Sequence, residues 1–237
     1  MNHYVETVAV PELAVQINAK DVLLRGDLAI PESTIGVILF AHGSGSGRQS
    51  PRNQAVAQRL QNEGFATLLL DLLTEEEELT DIYRGHLRFD IRLLGERLVA
   101  ATDWLIEDPR TSGLRIGYFG ASTGAAAALV AATRANSRIR AIVSRGGRPD
   151  LAGSALSAVR SPTLLIVGGN DEVVLRLNRE SLIQLGSSIK RLEIVPGASH
   201  LFEEPGKLDE VGQLATDWFT HYFSLPRESP VIDSGSS

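Results

Sequence analysis

A chain of 237 residues with a hydrophobic fraction of 43% can bury the core of one sizeable domain. Its formal net charge of −6 argues against a general affinity for nucleic acid, because phosphate binding needs a basic face. The sequence contains no cysteine, which excludes disulfides, thiolate metal ligands and a cysteine nucleophile.

The first residues of the chain carry Glu6 and Glu12 and lack a basic start followed by a long apolar run. They therefore do not predict a signal peptide. No run approaches the roughly 18 consecutive apolar residues that a membrane-spanning helix requires. We expect a cytoplasmic protein without a membrane partner.

Short apolar runs alternate with longer segments of helical period, a pattern that predicts an α/β fold. Central runs such as VILF and TLLIV are apolar throughout, as in strands that helices cover on both faces. The predicted strands are residues 13–18, 22–30, 36–41, 66–72, 114–119, 139–144, 163–167 and 192–195.

Helices are predicted at residues 53–62, 86–107, 125–135, 173–185 and 207–222. In the second of these, apolar residues at steps of three and four form one stripe. The first two strands have no helix between them, so we expect an antiparallel lead-in followed by parallel strands with right-handed crossovers. The predicted fold is a twisted, mostly parallel sheet of about eight strands with helices on both faces.

Residues 1–225 are expected to form one domain, and the Ser- and Pro-rich residues 226–237 a flexible tail. The four glutamates at 75–78 are the densest charge run, which is typical of a solvated loop or a helix start.

The motif GASTG, residues 120–124, stands directly between a predicted strand and an Ala-rich predicted helix. A nucleophile at the tip of such a turn needs small neighbours two positions before and after it, because the backbone is tightly bent. Ser122 is therefore the candidate nucleophile. The alternative is a Gly-rich turn whose serine only caps the helix.

A serine hydroxyl needs a base close in space. His200 follows the last predicted strand, and loops at the carboxyl ends of parallel strands gather at the edge where Ser122 lies. His3 and His221 lie in the leading segment and the last helix, where a surface role is expected. His200 is therefore the candidate base.

The acid of this arrangement should follow a strand between the nucleophile and the histidine. Asp171 comes just after the strand TLLIV and a pair of glycines. Glu172 is its nearest rival and Asp150 a more distant one, and an Asp that only caps the next helix is the alternative.

The Gly-rich segment HGSGSG, residues 42–47, follows the strand VILFA. Backbone N–H groups of Ser44 or Gly45 are expected to form an oxyanion hole with the N–H of Thr123. His42 is expected to hold this loop by hydrogen bonding. A phosphate cradle is the alternative, but Arg48 stands where a dinucleotide motif needs its third glycine, and the Gly-Lys-Ser/Thr ending of a P-loop is absent.

The blocks FAHGSGSG, GYFGASTG, VGGNDEVV and GASHLFEEPG resemble those of α/β-hydrolases of the dienelactone hydrolase type, over residues 20–223. The closest resemblance is to a Ser-nucleophile subgroup that is sometimes fused to phosphoribosyltransferase domains. It implies a single-domain ester or lactone hydrolase that uses no metal or cofactor. True dienelactone hydrolases use a Cys nucleophile, which this chain lacks, so the dienelactone substrate is not carried over.

Four arginines cluster near the expected mouth of the site, namely Arg48, Arg52, Arg145 and Arg148. One interpretation is that Arg48, Arg145 and Arg148 bind an anionic group of the substrate. The alternative pairs the arginines with nearby acids to hold loops. The segment 145–162 is too short for a helical cap domain, and residues 74–86 are the other candidate lid.

The sequence therefore predicts a serine hydrolase of small esters or lactones, with an acyl-enzyme intermediate on Ser122. Two alternatives remain open at this stage. One is a binding module that keeps the pocket without catalysis, and the other is an acyltransferase or amide hydrolase with the same three residues.

Overall fold

A computed structural model of the protein describes residues 10–135 and 138–226. Its strands are β1 (Glu12–Ala19), β2 (Val22–Ala29), β3 (Gly36–Ala41), β4 (Phe65–Leu70), β5 (Ile116–Ala121), β6 (Ile139–Arg145), β7 (Thr163–Gly168) and β8 (Lys190–Val195). Its α-helices are α1 (Pro51–Asn62), α2 (Glu75–Arg84), α3 (Ile91–Glu107), α4 (Thr123–Ala135), α5 (Glu172–Gln184) and α6 (Lys207–Ser224).

The eight strands form one sheet in the order β1-β2-β4-β3-β5-β6-β7-β8. Strand β1 pairs with β2, and β2 with β4, in antiparallel fashion, whereas the other pairs are parallel. This confirms the predicted antiparallel lead-in and the mostly parallel sheet. Because the parallel strands run in one direction, the loops that follow them share one edge of the sheet.

Helices cover both faces of the sheet, and neighbouring residues of β3 show how the two cores divide. Leu39 packs in a cluster with Leu98 of α3 and the small residues of α4, whereas Ile38 packs on the other face with Leu60 of α1 and Phe219 of α6. All six residues of β3, β4, β5 and β7 are buried, as the uniformly apolar runs predict. Burial of each large side chain contributes about 1.5–3 kcal/mol.

The predicted helix at 86–107 is wrong at its start. Leu87–Phe89 form a short 3-10 helix, and α3 begins only after Asp90, whose side chain accepts the N–H of Leu93 at 3.0 Å. An N-cap of this kind starts a new helix, so the apolar stripe continues across a break.

The glutamate run at 75–78 opens helix α2, which is one of the two alternatives for this segment. The Thr74 side chain accepts the Glu77 N–H at 3.2 Å, and the Glu77 carboxylate accepts the Thr74 N–H at 2.9 Å. This reciprocal capping box satisfies two N–H groups at the start of the helix, and the acidic first turn suits its positive end.

The segment after β6 holds a 3-10 helix, Pro149–Ala158, that packs against α4 and α5. The described chain has no cap domain, which confirms the predicted single-domain fold.

No described helix is long and apolar enough to cross a membrane. The flexible tail predicted at 226–237 lies outside the described residues except for Pro226, and so do residues 1–9, with His3.

Candidate active site

Ser122 occupies the turn between β5 and α4 with a positive φ of 50°. A non-glycine residue in this region costs on the order of 1–3 kcal/mol and persists only where the surroundings enforce it. Here the Ser122 N–H donates to the Arg145 carbonyl at 3.2 Å, and the Ser122 carbonyl accepts the N–H groups of Ala125 and Arg148 at 3.1 and 3.0 Å. These bonds hold the sharp strand-to-helix turn that the GASTG motif predicts.

The two glycines of the motif are required by close packing. A Cβ on Gly120 would lie 2.5 Å from the Ala125 Cα, and one on Gly124 would lie 2.2 Å from the Ala41 carbonyl oxygen. Both distances are far below van der Waals contact. Gly124 thus lets the start of α4 touch the end of β3, where the HGSGSG loop begins.

His200 and Asp171 form a hydrogen-bonded pair, with 2.6 Å between His200 Nδ1 and Asp171 Oδ2. Asp171 stands at the N-cap position of α5, yet its side chain makes no capping hydrogen bond. Its carboxylate therefore serves the imidazole rather than the helix. Because a carboxylate only accepts, the shared hydrogen lies on Nδ1, and Nε2 is left to take a proton.

The loop that carries His200 is fixed to the loop that carries Asp171. The Asn170 N–H donates to the Ala198 carbonyl at 2.9 Å, and the Asn170 side chain donates to the Gly197 carbonyl at 3.0 Å. These bonds join the loops after β7 and β8. The relative position of the imidazole and the carboxylate is therefore set by backbone rather than by two free side chains.

The imidazole also lies beside the Ser122 turn. Gly146 follows Arg145, whose carbonyl holds the Ser122 N–H, and a Cβ on Gly146 would lie 3.6 Å from His200 Cε1. In the described structure Ser122 Oγ makes no hydrogen bond to His200. Such contacts are commonly long in free enzymes and tighten when substrate binds. The structure thus brings Ser122, Asp171 and His200 to one edge of the sheet.

The HGSGSG loop passes directly beside Ser122. A Cβ on Gly43 would lie 2.8 Å from the Ser122 Cβ, and the Ser44 N–H donates to Thr123 Oγ1 at 2.9 Å. Thr123 is the first residue of α4, where a backbone N–H has no acceptor within the helix. The structure therefore brings the start of α4, with Thr123, against the loop of Ser44 and Gly45, and the Ser44 N–H is bonded to the Thr123 hydroxyl.

His42 holds this loop, as the sequence predicts. Its Nε2 accepts the Leu72 N–H at 2.9 Å, so the hydrogen lies on Nδ1, which donates to the Gly43 carbonyl at 2.9 Å. Burial lowers the pKa of His42 below its ordinary value, although the charge of Asp71 acts in the opposite direction. The neutral imidazole thus ties the segment just after β4 to the HGSGSG loop.

Arg48 and Arg148 have acidic partners. Arg48 forms ion pairs with Asp71 and Asp27, and its backbone N–H also donates to Asp71 at 2.7 Å. The Arg148 guanidinium donates hydrogen bonds to both carboxylate oxygens of Asp150, at 2.9 and 2.8 Å. For these two arginines the contacts favour the loop-stabilising alternative over binding of the substrate.

Arg145 differs from the other two. Only 7% of it is exposed, and its one hydrogen bond is a long contact of 3.4 Å from Nη2 to Asn53 Oδ1. Its Nε and Nη1 atoms are buried without a partner. Burial, and then the neighbouring charge of Arg52, lower the pKa of Arg145 to about 10. The sequence places Asp150 two residues after Arg148, whereas the burial of Arg145 arises from tertiary packing, which the sequence does not reveal.

A metal site would need several His, Asp or Glu side chains gathered around one point. The described residues contain no group of three or more such side chains placed so that they could hold a metal ion.

A family model described as the Dienelactone hydrolase family matches residues 24–224. This chain belongs to the dienelactone hydrolase family. A putative phosphoribosyl transferase of Mycobacterium tuberculosis (strain H37Rv) is 54% identical over 215 residues, which cover 91% of this chain and 47% of the relative. The chain thus spans about half the length of this curated relative and of its counterpart in a second strain.

Solved structures give the same result for the fold. A dienelactone hydrolase from Anabaena variabilis is 59% identical, with a TM-score of 0.88 and coverage of 91% of this chain and 99% of that one. A serine hydrolase without a lid from Xanthomonas campestris is 17% identical, with a TM-score of 0.71 over 92% of this chain and 99% of that one, and supports the fold alone. The family resemblance and the α/β-hydrolase fold predicted from sequence are confirmed, and the family supports a hydrolase function.

Proposed function

We propose that the protein is a serine hydrolase that cleaves carboxylic esters or lactones through an acyl-enzyme intermediate. The observation that carries this proposal is the strained Ser122 turn beside a His200–Asp171 pair with 2.6 Å between Nδ1 and Oδ2. A small-molecule substrate is expected from the family.

In the first half of the reaction His200 Nε2 takes the proton of Ser122 as Oγ attacks the carbonyl carbon. Asp171 holds the imidazole in the correct tautomer and stabilises its charged form. The imidazolium then protonates the departing alkoxide, which leaves an ester between Ser122 and the acyl group. A water molecule repeats these steps and releases the acid and free Ser122.

The negative charge that develops on the carbonyl oxygen would be held by backbone N–H groups. The Thr123 N–H lies at the positive end of α4, and Ser44 and Gly45 lie on the facing loop. An oxyanion donor of this kind is worth about 3–4 kcal/mol of the barrier.

Two features favour a hydrolase over the alternatives. The Asp171 carboxylate leaves its helix uncapped and bonds His200, an arrangement for which a binding module has no use. The His200 side chain is 39% exposed, so water can reach the acyl-enzyme and act as acceptor.

A fluorophosphonate probe tests the nucleophile. Wild-type protein is expected to carry one label on each chain, and Ser122→Ala none, with a loss of about 10⁶-fold in kcat toward p-nitrophenyl acetate. The control is Ser154→Ala, an exposed serine in the 3-10 helix after β6, which should label and turn over like wild type. A Ser122→Ala protein that still labels and hydrolyses the ester contradicts the proposal.

The substrate class is tested with p-nitrophenyl esters of increasing acyl length, and with lactones in parallel. Because the described chain has no cap domain to form a long acyl tunnel, kcat/KM is expected to be highest for short acyl chains. A steady rise in kcat/KM with acyl length would contradict this expectation.

A further inference from the structure

Arg145 is a buried cation without a counterion in the described structure. With 7% exposure and two partnerless guanidinium nitrogens, it lacks the hydrogen bonds that normally accompany such burial. The charge that acts on it besides burial is that of Arg52, which is of the same sign. An arrangement of this kind is unfavourable unless an anion completes it.

The position of Arg145 links it to the reacting serine. It ends β6 directly opposite Ala121 in register, and its carbonyl accepts the Ser122 N–H at 3.2 Å. Its guanidinium contacts Asn53 in the first turn of α1, the helix that follows β3. Since β5 lies between β6 and β3 in the sheet, the guanidinium lies alongside the end of β5, from which the Ser122 turn departs.

The first turn of α1 adds further hydrogen-bond donors. Ser50 occupies the N-cap position without making a side-chain capping bond, and its Oγ is buried and partnerless. Arg52 pairs through Nη1 with Glu203 at 2.9 Å, while its Nε is buried without a partner. Of the two arginines, Arg52 has the exposed Glu203 as its partner and Arg145 has no carboxylate partner among the described residues, so a net positive charge remains beside the positive end of α1.

We propose that Arg145, Arg52 and the first turn of α1 form an anion-binding subsite that takes a carboxylate or phosphate group carried by the substrate. This inference rests on the proposed ester-hydrolase function and names the substrate class as anionic esters. The planar guanidinium fork matches two oxygens of either group. Binding there anchors the substrate beside Ser122 and is expected to act mainly on KM.

Anion binding is measured by calorimetry in the Ser122→Ala protein, so that no turnover is needed. Glutarate and inorganic phosphate are titrated separately, and whichever binds identifies the preferred group. Arg145→Met is expected to weaken binding at least tenfold, by loss of a charge-assisted bidentate contact. The matched control is Arg138→Met, which removes an exposed arginine at the opposite end of β6 and should leave affinity unchanged.

The thermal stability of the same variants separates binding from a structural role. Replacing a buried, unpaired charge by an apolar side chain of similar length should keep or raise Tm in anion-free buffer. The rise in Tm that the anion causes in Ser122→Ala should disappear with Arg145→Met and be reduced with Arg145→Lys. No binding of either anion to Ser122→Ala, or binding that survives Arg145→Met, overturns the proposal.

The kinetic test compares an anionic with a neutral ester of equal carbon count, mono-p-nitrophenyl glutarate and p-nitrophenyl pentanoate. The ratio of their kcat/KM values is expected to fall at least tenfold in Arg145→Met, through KM of the anionic ester, and to stay constant in Arg138→Met. An unchanged ratio in Arg145→Met overturns the proposal. If wild type turns over neither ester, the hydrolase assignment fails, while the titration of Ser122→Ala still decides the subsite.

Discussion

The Asp171 carboxylate binds a histidine rather than capping the helix at whose N-terminus it lies. A carboxylate at a helix N-cap usually accepts a backbone N–H, a contact worth about 1 kcal/mol. Instead it accepts from His200 Nδ1 at 2.6 Å. Helix α5 therefore begins without a side-chain cap, and the stability it forgoes is consistent with a functional demand on this carboxylate.

Replacing Asp171 by Asn should leave the fold intact and reduce kcat by about 10⁴-fold, because an amide favours the wrong imidazole tautomer. KM should change little, since Asp171 does not face the substrate carbonyl. The comparison is Glu172→Gln, which alters the adjacent carboxylate that the sequence leaves as a rival. A larger loss of kcat in Glu172→Gln than in Asp171→Asn would reverse the assignment.

His42 should make the stability of the protein depend on pH. Because burial holds the folded pKa of His42 below 6.5, the unfolded chain binds a proton that the folded chain refuses. The contribution of His42 is therefore complete above about pH 6.5 and is lost as the pH falls toward the folded pKa, at up to about 1.4 kcal/mol per pH unit.

Urea unfolding at about pH 7.5 and about pH 5.5 measures this effect. His42→Gln can both accept from Leu72 and donate to Gly43, but it does not titrate, so its stability should depend less on pH than that of wild type. His221→Gln changes an exposed histidine on α6 and should behave as wild type. Identical pH dependence in wild type and His42→Gln would contradict the expectation.

At the scale of single residues, chain order predicts which side chains share one edge of the sheet, and their catalytic roles stay a prediction. Ser122, Asp171 and His200 each follow a strand, and their loops share one edge. The state of Arg145 could not be predicted, because its burial depends on which loops and helices close over the end of β6. Arg148 has a carboxylate two residues along the chain, Asp150, which its guanidinium reaches, whereas two glycines follow Arg145.

At the scale of elements, the contact between α4 and β3 gives a clear prediction. Gly→Ala in a helix normally stabilises it by about 1 kcal/mol. Gly124→Ala should instead destabilise the protein by about 1–3 kcal/mol, because the new Cβ would lie 2.2 Å from the Ala41 carbonyl oxygen and 2.4 Å from that of His42. Activity should fall with it, since these carbonyls lie at the start of the HGSGSG loop, the proposed source of oxyanion donors.

Gly212→Ala provides the matched control in α6, because its Cβ would meet only the movable Arg59 side chain, with Cδ 2.6 Å away. Its unfolding free energy should be equal to or above that of wild type. Chemical denaturation of both variants measures the difference. If Gly124→Ala is as stable as Gly212→Ala, the close contact between α4 and β3 does not restrict this site.

The elements show where sequence patterns succeed and where they stop. Uniformly apolar runs predict the buried strands correctly, because a strand that helices cover on both faces has apolar side chains on both sides. Helix α2 remained ambiguous because its charge run suits a loop equally well. The spacing of Thr74 and Glu77 is the capping-box signal that would have resolved it. The break between the 3-10 helix and α3 at Asp90 could not be predicted, because the spacing of apolar residues continues unchanged across it.

At the scale of the whole molecule, the parallel sheet explains why distant segments form one site. The loops that follow β3, β5, β7 and β8 carry the HGSGSG segment, Ser122, Asp171 and His200 in turn, and Arg145 ends β6. Because each loop leaves the same edge, no long-range folding of loops is needed to assemble them. The scaffold also fixes the order in which these residues occur along the chain.

Helix α2 and the 3-10 helix Pro149–Ala158 follow β4 and β6 at this edge, and their contacts indicate that neither acts as a lid. In α2, the buried Asp81 accepts the Leu87 N–H at 2.7 Å and pairs with Arg88, and Glu77 pairs with Arg97, which is 5% exposed. The 3-10 helix Pro149–Ala158 packs on α4 and α5. Opening either segment would break buried charged contacts or uncover the core, and both cost several kcal/mol.

The rate of hydrolysis should therefore rise smoothly with substrate concentration through the solubility limit of p-nitrophenyl butyrate. An enzyme whose lid must open on a lipid surface shows instead a sharp increase when substrate droplets form, because the surface favours the open state. The measurement is the initial rate across that limit, with and without detergent micelles. A jump in rate on crossing the limit would mean that a segment of this chain covers Ser122 in water, and α2 would be the first to examine by truncating its capping box with Thr74→Ala.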